Sequence, residues 1–192
     1  MRYLLCTGNP GKINELRELL PPGLQVSGLA EVGIAPDLPE TGSTLAENAL
    51  QKARMGRELS GLPTIADDSG LEVDALGGAP GVDSAFYAGP AKDDRANVEK
   101  LLRELDGVTD RGAYFRTVIA LVDDKGEHVF EGEVRGSIAT APRGSNGFGY
   151  DPVFIPEMAQ QTFAELDLVT KNAISHRGKA VWKLVRHLAD RV

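Results

Sequence analysis

The chain opens on an unbroken apolar run, Tyr3-Leu4-Leu5-Cys6, passes through the turn Thr7-Gly8-Asn9-Pro10-Gly11-Lys12, and resumes with apolar residues at Ile13, Leu16, Leu19 and Leu20. The run predicts a strand over 2–6, and the spacing after it predicts a helix over 11–20, ended by Pro21-Pro22-Gly23. Leu24 to Ser27 reads as a second strand. Ser43 or Thr44, with Glu47, forms a capping signal for a helix over 44–60. Leu45, Ala49, Ala53 and Gly56 give that helix a small-residue side suited to close approach on a sheet, while Asn48 and Lys52, one turn apart, point the same way. Residues 63–66 are a short apolar strand running into a turn at Ser69-Gly70, and residues 71–89 carry enough glycine to read as an extended loop. An amphipathic helix closed by Gly107 follows.

Beyond residue 112 the period changes. Two long β-rich runs meet at Asp123-Asp124-Lys125-Gly126, a hairpin signal, and are followed by the glycine-rich stretch 143–152 and a short segment, Val153 to Ile155. Ile174, Val181, Leu184, Val185 and Leu188 fall on one stripe of a closing helix. Strand–helix units early, a long hairpin in the middle and a helix at the end predict an α/β fold. No repeat or linker marks a boundary, so residues 1–192 are read as a single domain.

The first turn raises the question of chemistry. A strand, a glycine-containing turn and a helix N-terminus aim positive potential at whatever sits in the turn, which suits an anion. The pattern is not a Walker A loop: two residues separate Gly8 from Gly11, and Ile13 stands where a magnesium-binding hydroxyl would be. Any metal serving a phosphate here must therefore be held by carboxylates from elsewhere. The alternative is a plain strand-to-helix turn with Lys12 solvated. Three Asp-Asp pairs occur. Asp123-Asp124 suits a hairpin turn and Asp93-Asp94 suits the first turn of a helix. Asp67-Asp68, placed at the end of an apolar strand where α/β proteins bind ligands, has no such structural explanation, and Glu40 is the next candidate metal ligand, although on sequence alone a solvated surface acid is its commoner reading.

Composition narrows the classes. With 21 Lys+Arg against 28 Asp+Glu and a net charge of -7, a nucleic-acid polymer is not the expected partner. One cysteine, Cys6, excludes an intramolecular disulfide or thiolate cluster and fits a reducing cytoplasm. His128, His176 and His187 lack zinc-ligand spacing, so a metal would be a hard ion on oxygen ligands. No stretch approaches a membrane span, and a soluble, unprocessed protein is expected.

Six segments, "TGNPGK", "PETGSTLAENALQKA", "ADDSGLEVDALGGAPGVDSAFYAG", "FRTVIAL", "GFGYDPVFIP" and "SHRGKA", occur in this order from residue 7 to residue 180. Together they resemble the inosine triphosphate pyrophosphatase family, also called Ham1-like or RdgB-like. The resemblance implies a long mixed sheet flanked by helices, two lobes with the active-site cleft between them, a homodimer, and Mg²⁺-dependent hydrolysis of ITP, dITP or XTP to monophosphate and pyrophosphate. It implies that Thr7, Gly8, Asn9, Pro10, Gly11 and Lys12 hold the triphosphate with Lys52, that Glu40 and Asp68 bind Mg²⁺, and that Ser69 touches substrate. Asp68 also matches the family's proton acceptor, with Asp67 as the alternative base.

For the base, the resemblance implies that Phe148 stacks on the purine, that Gly149, Tyr150 and Asp151 line its edge, and that Lys171, Ser175, His176 and Arg177 surround it. Read without the resemblance, 143–152 is a glycine-rich loop with a buried aromatic, and Arg177 snorkels beside the core stripe. Two other classes compete with a pyrophosphatase: a nucleotide sensor without turnover, against which Glu40 and Asp68 argue, and a phosphotransferase acting on the terminal phosphate, disfavoured by the missing Walker hydroxyl.

Overall fold

A computed structural model describes residues 2–190. Strand β1 (Arg2–Leu5) feeds helix α1 (Pro10–Leu19), followed by strand β2 (Gln25–Gly28). Helix α2 (Leu45–Ser60) leads into strand β3 (Thr64–Val73), and a two-residue strand, β4 (Pro80–Gly81), pairs back onto it. Helix α3 (Asp94–Glu104) precedes the hairpin strands β5 (Gly112–Asp123) and β6 (Gly126–Ile138), then strand β7 (Phe154–Pro156) and helices α4 (Leu168–Ile174) and α5 (His176–Ala189). The sheet runs in the order β2-β1-β3-β5-β6-β7. Its β1 is parallel to β2 and β3, whereas β6–β7 is antiparallel, so the fold is mixed α/β as expected.

The chain forms two compact units. The first contains the residues up to Asp68, Thr117–Gly132 and the segment from Arg177 onward; the second contains Ser69–Arg116 and Glu133–His176. In the first, Leu5, Leu16, Ile65, Ile119, Leu121, Val181 and Leu184 form the core, and α2 lies close on the strands because Gly56 has no side chain. A Cβ there would stand 2.8 Å from Thr64 Cγ2 and 3.0 Å from Cys6 Sγ. In the second, Leu71, Val73, Leu101, Phe115, Tyr150, Phe154 and Phe163 form the core.

Two expectations fail. Residues 64–73 form one strand, so Asp67-Asp68 lies mid-strand, not at a strand end before a turn. Ser69-Gly70 does not stop it because Leu71 and Val73 are fully buried and β4 pairs with Leu71 and Glu72. The closing helix is two helices. Ser175 is extended (ψ 158°) between them, and Ile174 packs on the second unit's core while Val181 and Leu184 belong to the first.

Candidate active site

The turn after β1 is built by its own residues. Asn9 caps α1, its Oδ1 accepting the Lys12 backbone N–H at 3.2 Å, and Pro10 occupies the first turn, where a missing N–H costs nothing. Gly8 is close-packed: a Cβ would meet the Pro36 carbonyl oxygen at 2.7 Å. The cap consumes the Lys12 amide, so the positive character of the turn comes chiefly from the Lys12 side chain. That side chain is not solvated. It is 13% exposed, with Nζ 3.3 Å from Asp67 Oδ2 and 3.9 Å from Asp68 Oδ1. Burial, with the nearby charges of Lys52 and Arg177, lowers its pKa from the usual lysine value despite the two aspartates.

Adjacent on β3, Asp67 and Asp68 have opposite electrostatic settings. Asp67 is fully buried, yet Lys12, Arg177 and Lys52 outweigh the burial and hold its pKa down to about 2. Arg177 donates Nε and Nη2 to Asp67 Oδ2 at 3.4 and 3.3 Å, and its Nη1 to Glu15 Oε2. For Asp68, burial prevails over Lys12 and Lys52 and its pKa is raised. One carboxylate is thus a fixed anion, and its neighbour has the greater affinity for a proton. Cys6, which donates Sγ–H to the Lys52 carbonyl, is pushed up to about 12 by burial and is no nucleophile.

Helix α2 presents Asn48 and Lys52 to Asp68. Lys52 Nζ donates to Glu40 Oε1 and to the Asp67 carbonyl at 2.7 Å, and lies 3.8 Å from Asp68 Oδ1. Burial opposes its charge, but Asp68, Asp67 and Glu40 together raise its pKa. Asn48 donates Nδ2 to Asp68 Oδ2 at 3.2 Å and accepts the Gly42 N–H on Oδ1 at 2.8 Å. The expected capping box is present, with Thr44 and not Ser43 as N-cap.

Among the described residues, no three His, Cys, Asp or Glu are grouped so as to hold a metal ion. Glu40 and Asp68 nevertheless approach one cation from two sides, with the Lys52 ammonium standing in that place. Two hard carboxylates suit Mg²⁺, which takes one or two protein carboxylates and completes its octahedron with phosphate oxygens and water.

In the second unit, Asp151 accepts the Phe148 N–H at 2.9 Å and pairs with Lys171; both charged side chains are buried. Gly147 (φ 74°) is required there, since a Cβ would collide with the Asp151 carboxylate. Gly149 N–H donates to Asp94 at 2.8 Å, and the Tyr150 hydroxyl donates to the Ser84 carbonyl at 2.8 Å, tying the loop down. Phe148 is half-buried, with Lys171 Nζ 5.3 Å from its ring centre. His176 stacks on Phe115 at 4.5 Å, and Ser175 caps α4.

Thr7, Gly8, Asn9, Pro10, Gly11, Lys12, Glu40, Lys52 and Asp68 belong to the first unit, and Ser69, Phe148, Gly149, Tyr150, Asp151, Lys171, Ser175 and His176 to the second. Arg177, expected beside the purine, belongs to the first unit. It is 1% exposed and held by Glu15 and Asp67, so it does not snorkel. Sequence reasoning gave no role to Glu15, an acid on the helical face shared with Lys12, or to Asn48, whose spacing from Lys52 was the available signal.

Residues 3–187 match the Ham1 family. A dITP/XTP pyrophosphatase of Porphyromonas gingivalis is 53% identical over 184 residues, 95% of each chain. One from Desulforamulus reducens is 50% identical over 192 residues, covering 98% of this chain and 96% of that protein. The Staphylococcus aureus Ham1 protein superposes with a TM-score of 0.90 at 42% identity, over 100% of both chains. With its mixed α/β sheet and full-length similarity, the chain belongs to the Ham1 family.

Proposed function

We propose that this protein hydrolyses non-canonical purine nucleoside triphosphates (dITP, XTP, ITP) to the monophosphate and pyrophosphate, with residues 1–192 acting as one catalytic domain. The observation that carries the chemistry is geometric: the adjacent carboxylates Asp67 and Asp68 stand 3.3 and 3.9 Å from the largely buried Lys12 ammonium, and Asp68 stands 3.8 Å from the buried Lys52 ammonium, which also pairs with Glu40. The substrate class is supported by the names of relatives matching over nearly the whole chain.

In this reading Lys12 and Lys52, with Thr7 and Asn9, bind phosphate oxygens and offset the charge that builds on the departing pyrophosphate. Asp68, whose Oδ2 accepts the Asn48 amide, takes the proton of the attacking water when it is not holding metal, since a carboxylate bound to Mg²⁺ is a poor base. Asp67 remains ionised and keeps Lys12 and Arg177 in place. Glu40 and Asp68 would hold Mg²⁺, which when bound would neutralise phosphate charge and orient the triphosphate. Ser69 contacts substrate. Phe148 stacks on the purine, with Gly149, Tyr150, Asp151, Lys171, Ser175 and His176 shaping its surroundings, and Arg177 serves by holding Asp67 and Glu15. Among the described residues no helix is long and apolar enough to cross a membrane. The resemblance supports a cytoplasmic homodimer without a nucleic-acid partner, and the net charge of -7 agrees with the last point.

The test is product analysis. With Mg²⁺, dITP or XTP should give monophosphate and pyrophosphate in equal amounts, and excess chelator should abolish the reaction. Orthophosphate and diphosphate as primary products would refute the assignment, as would binding without turnover.

A further inference from the structure

Each of the two α2 residues facing Asp68 has one end on Asp68 and the other on the loop that carries Glu40. Lys52 reaches Asp68 Oδ1 and Glu40 Oε1 with the same ammonium. Asn48 reaches Asp68 Oδ2 through Nδ2 and the Gly42 N–H through Oδ1. The orientation of the amide is forced, since a backbone N–H only donates and must face the oxygen; the NH₂ is then left for a carboxylate that accepts. Asn48 is 4% exposed and both its ends are satisfied.

The two connections differ in what happens when substrate arrives. Lys52 occupies the place where a cation would meet Glu40 and Asp68, and phosphate oxygens compete for its ammonium. Asn48 is neutral, has no stake in the phosphates, and can keep its contacts. The Glu40 loop has further ties to α2: Thr41 N–H donates to Gln51 Oε1 at 2.9 Å and Gln51 Nε2 donates to Thr41 Oγ1 at 3.0 Å. Gly42 is pressed against the helix, where a Cβ would stand 2.6 Å from Glu47 Cβ and 2.8 Å from Asn48 Oδ1.

We propose that Asn48 is a positioning residue, a neutral strut that fixes the distance between the Glu40 loop and Asp68 while Lys52 turns to the triphosphate, and so sets the affinity for the divalent cation. This rests on the pyrophosphatase reading above. The test measures Mn²⁺ binding by electron paramagnetic resonance in the presence of a non-hydrolysable α,β-methylene analogue of dITP, analogue binding without metal, and the melting temperature, for wild type, Asn48→Ala and Gly42→Ala. Outer partners of metal ligands are typically worth about 10–100-fold in affinity, so Asn48→Ala is expected to weaken Mn²⁺ about tenfold or more, with metal-free analogue binding changed less than about threefold. Gly42→Ala, which disturbs the same strut from its loop end, should act in the same direction and decides the matter if Asn48→Ala does not fold. Wild-type Mn²⁺ affinity in the folded variants would overturn the proposal, as would equal losses of Mn²⁺ and metal-free analogue binding. Failure of the pyrophosphatase reading would be separate: wild type itself would then release no pyrophosphate from dITP.

Discussion

Two charged regions, one in each unit, use the same residue types differently. In the second, Asp151 pairs with Lys171 and also holds the Phe148 amide, and the product is a shape: a loop with its glycines and one aromatic fixed. In the first, four carboxylates, Glu15, Glu40, Asp67 and Asp68, share three cations, Lys12, Lys52 and Arg177. No one-to-one pairing exists there. The arrangement leaves Asp68 raised in pKa beside an Asp67 held near 2. Carboxylates that share cations across a network can differ in proton affinity even as sequence neighbours, which is what a reacting group needs.

The largest expected effect breaks the shared network. Arg177→Ala leaves Glu15 and Asp67 buried without their common partner, which typically costs about 3–5 kcal/mol of stability. Urea denaturation should show it, and Arg177→Lys should recover only part, because one compact ammonium cannot reproduce the spaced Nε, Nη1 and Nη2 donors with which the planar guanidinium reaches Asp67 and Glu15. If the variant retains activity, kcat/KM for dITP and for ATP should fall by the same factor. A loss confined to dITP would mean that Arg177 reads the base directly.

Next, Asp68→Asn keeps the shape but removes charge and basicity. Losing one such group costs about 3 kcal/mol of transition-state stabilisation, on the order of a hundredfold in kcat, with nucleotide binding still measurable. The same change at Asp151 should instead lower the melting temperature and leave the catalytic carboxylates alone. Near wild-type turnover in Asp68→Asn would reverse the roles of the two aspartates.

How the two regions differ could be read from sequence only in part. The turn at Thr7–Lys12, the α2 cap and the small-residue face at Gly56 are local signals and survive in the structure. Asp67-Asp68 stood out because nothing else explained a paired acid after an apolar strand. Its mid-strand position was hidden, because Ser69-Gly70 reads as a turn until the burial of Leu71 and Val73 is known. The burial and ion pairs of Arg177 are hidden for a related reason. Its partners lie 110 and 162 residues away, a separation no periodicity reports, and the stripe beginning at Ile174 concealed a helix break at Ser175. Glu15 shows the same limit, since an acid inside a helix carries no local mark of being buried.

A smaller effect sharpens the contrast between the aspartates through pH. Asp67 has a folded pKa of about 2 against an ordinary value of 3.8, so its contribution is fully present above the ordinary value and is lost as pH falls through about 2. That difference corresponds to on the order of 2 kcal/mol. Stability of Asp67→Asn, followed by urea midpoints, should therefore depend less on pH than wild type over this acid interval. An unchanged slope would mean that Asp67 is not the fixed anion. Smallest of all, Tyr150→Phe removes one hydroxyl bond to Ser84 in the second unit and should cost about 0.5–1.5 kcal/mol of stability, read from the urea midpoint.

The central claim is that the first unit's carboxylates and lysines direct water onto the α-phosphorus. Hydrolysis of dITP in water labelled with heavy oxygen, followed by mass spectrometry of both products, reads this directly. The account predicts one labelled oxygen in every dIMP formed and none in the pyrophosphate. Label in the pyrophosphate, or labelled orthophosphate released from the γ position, would contradict it.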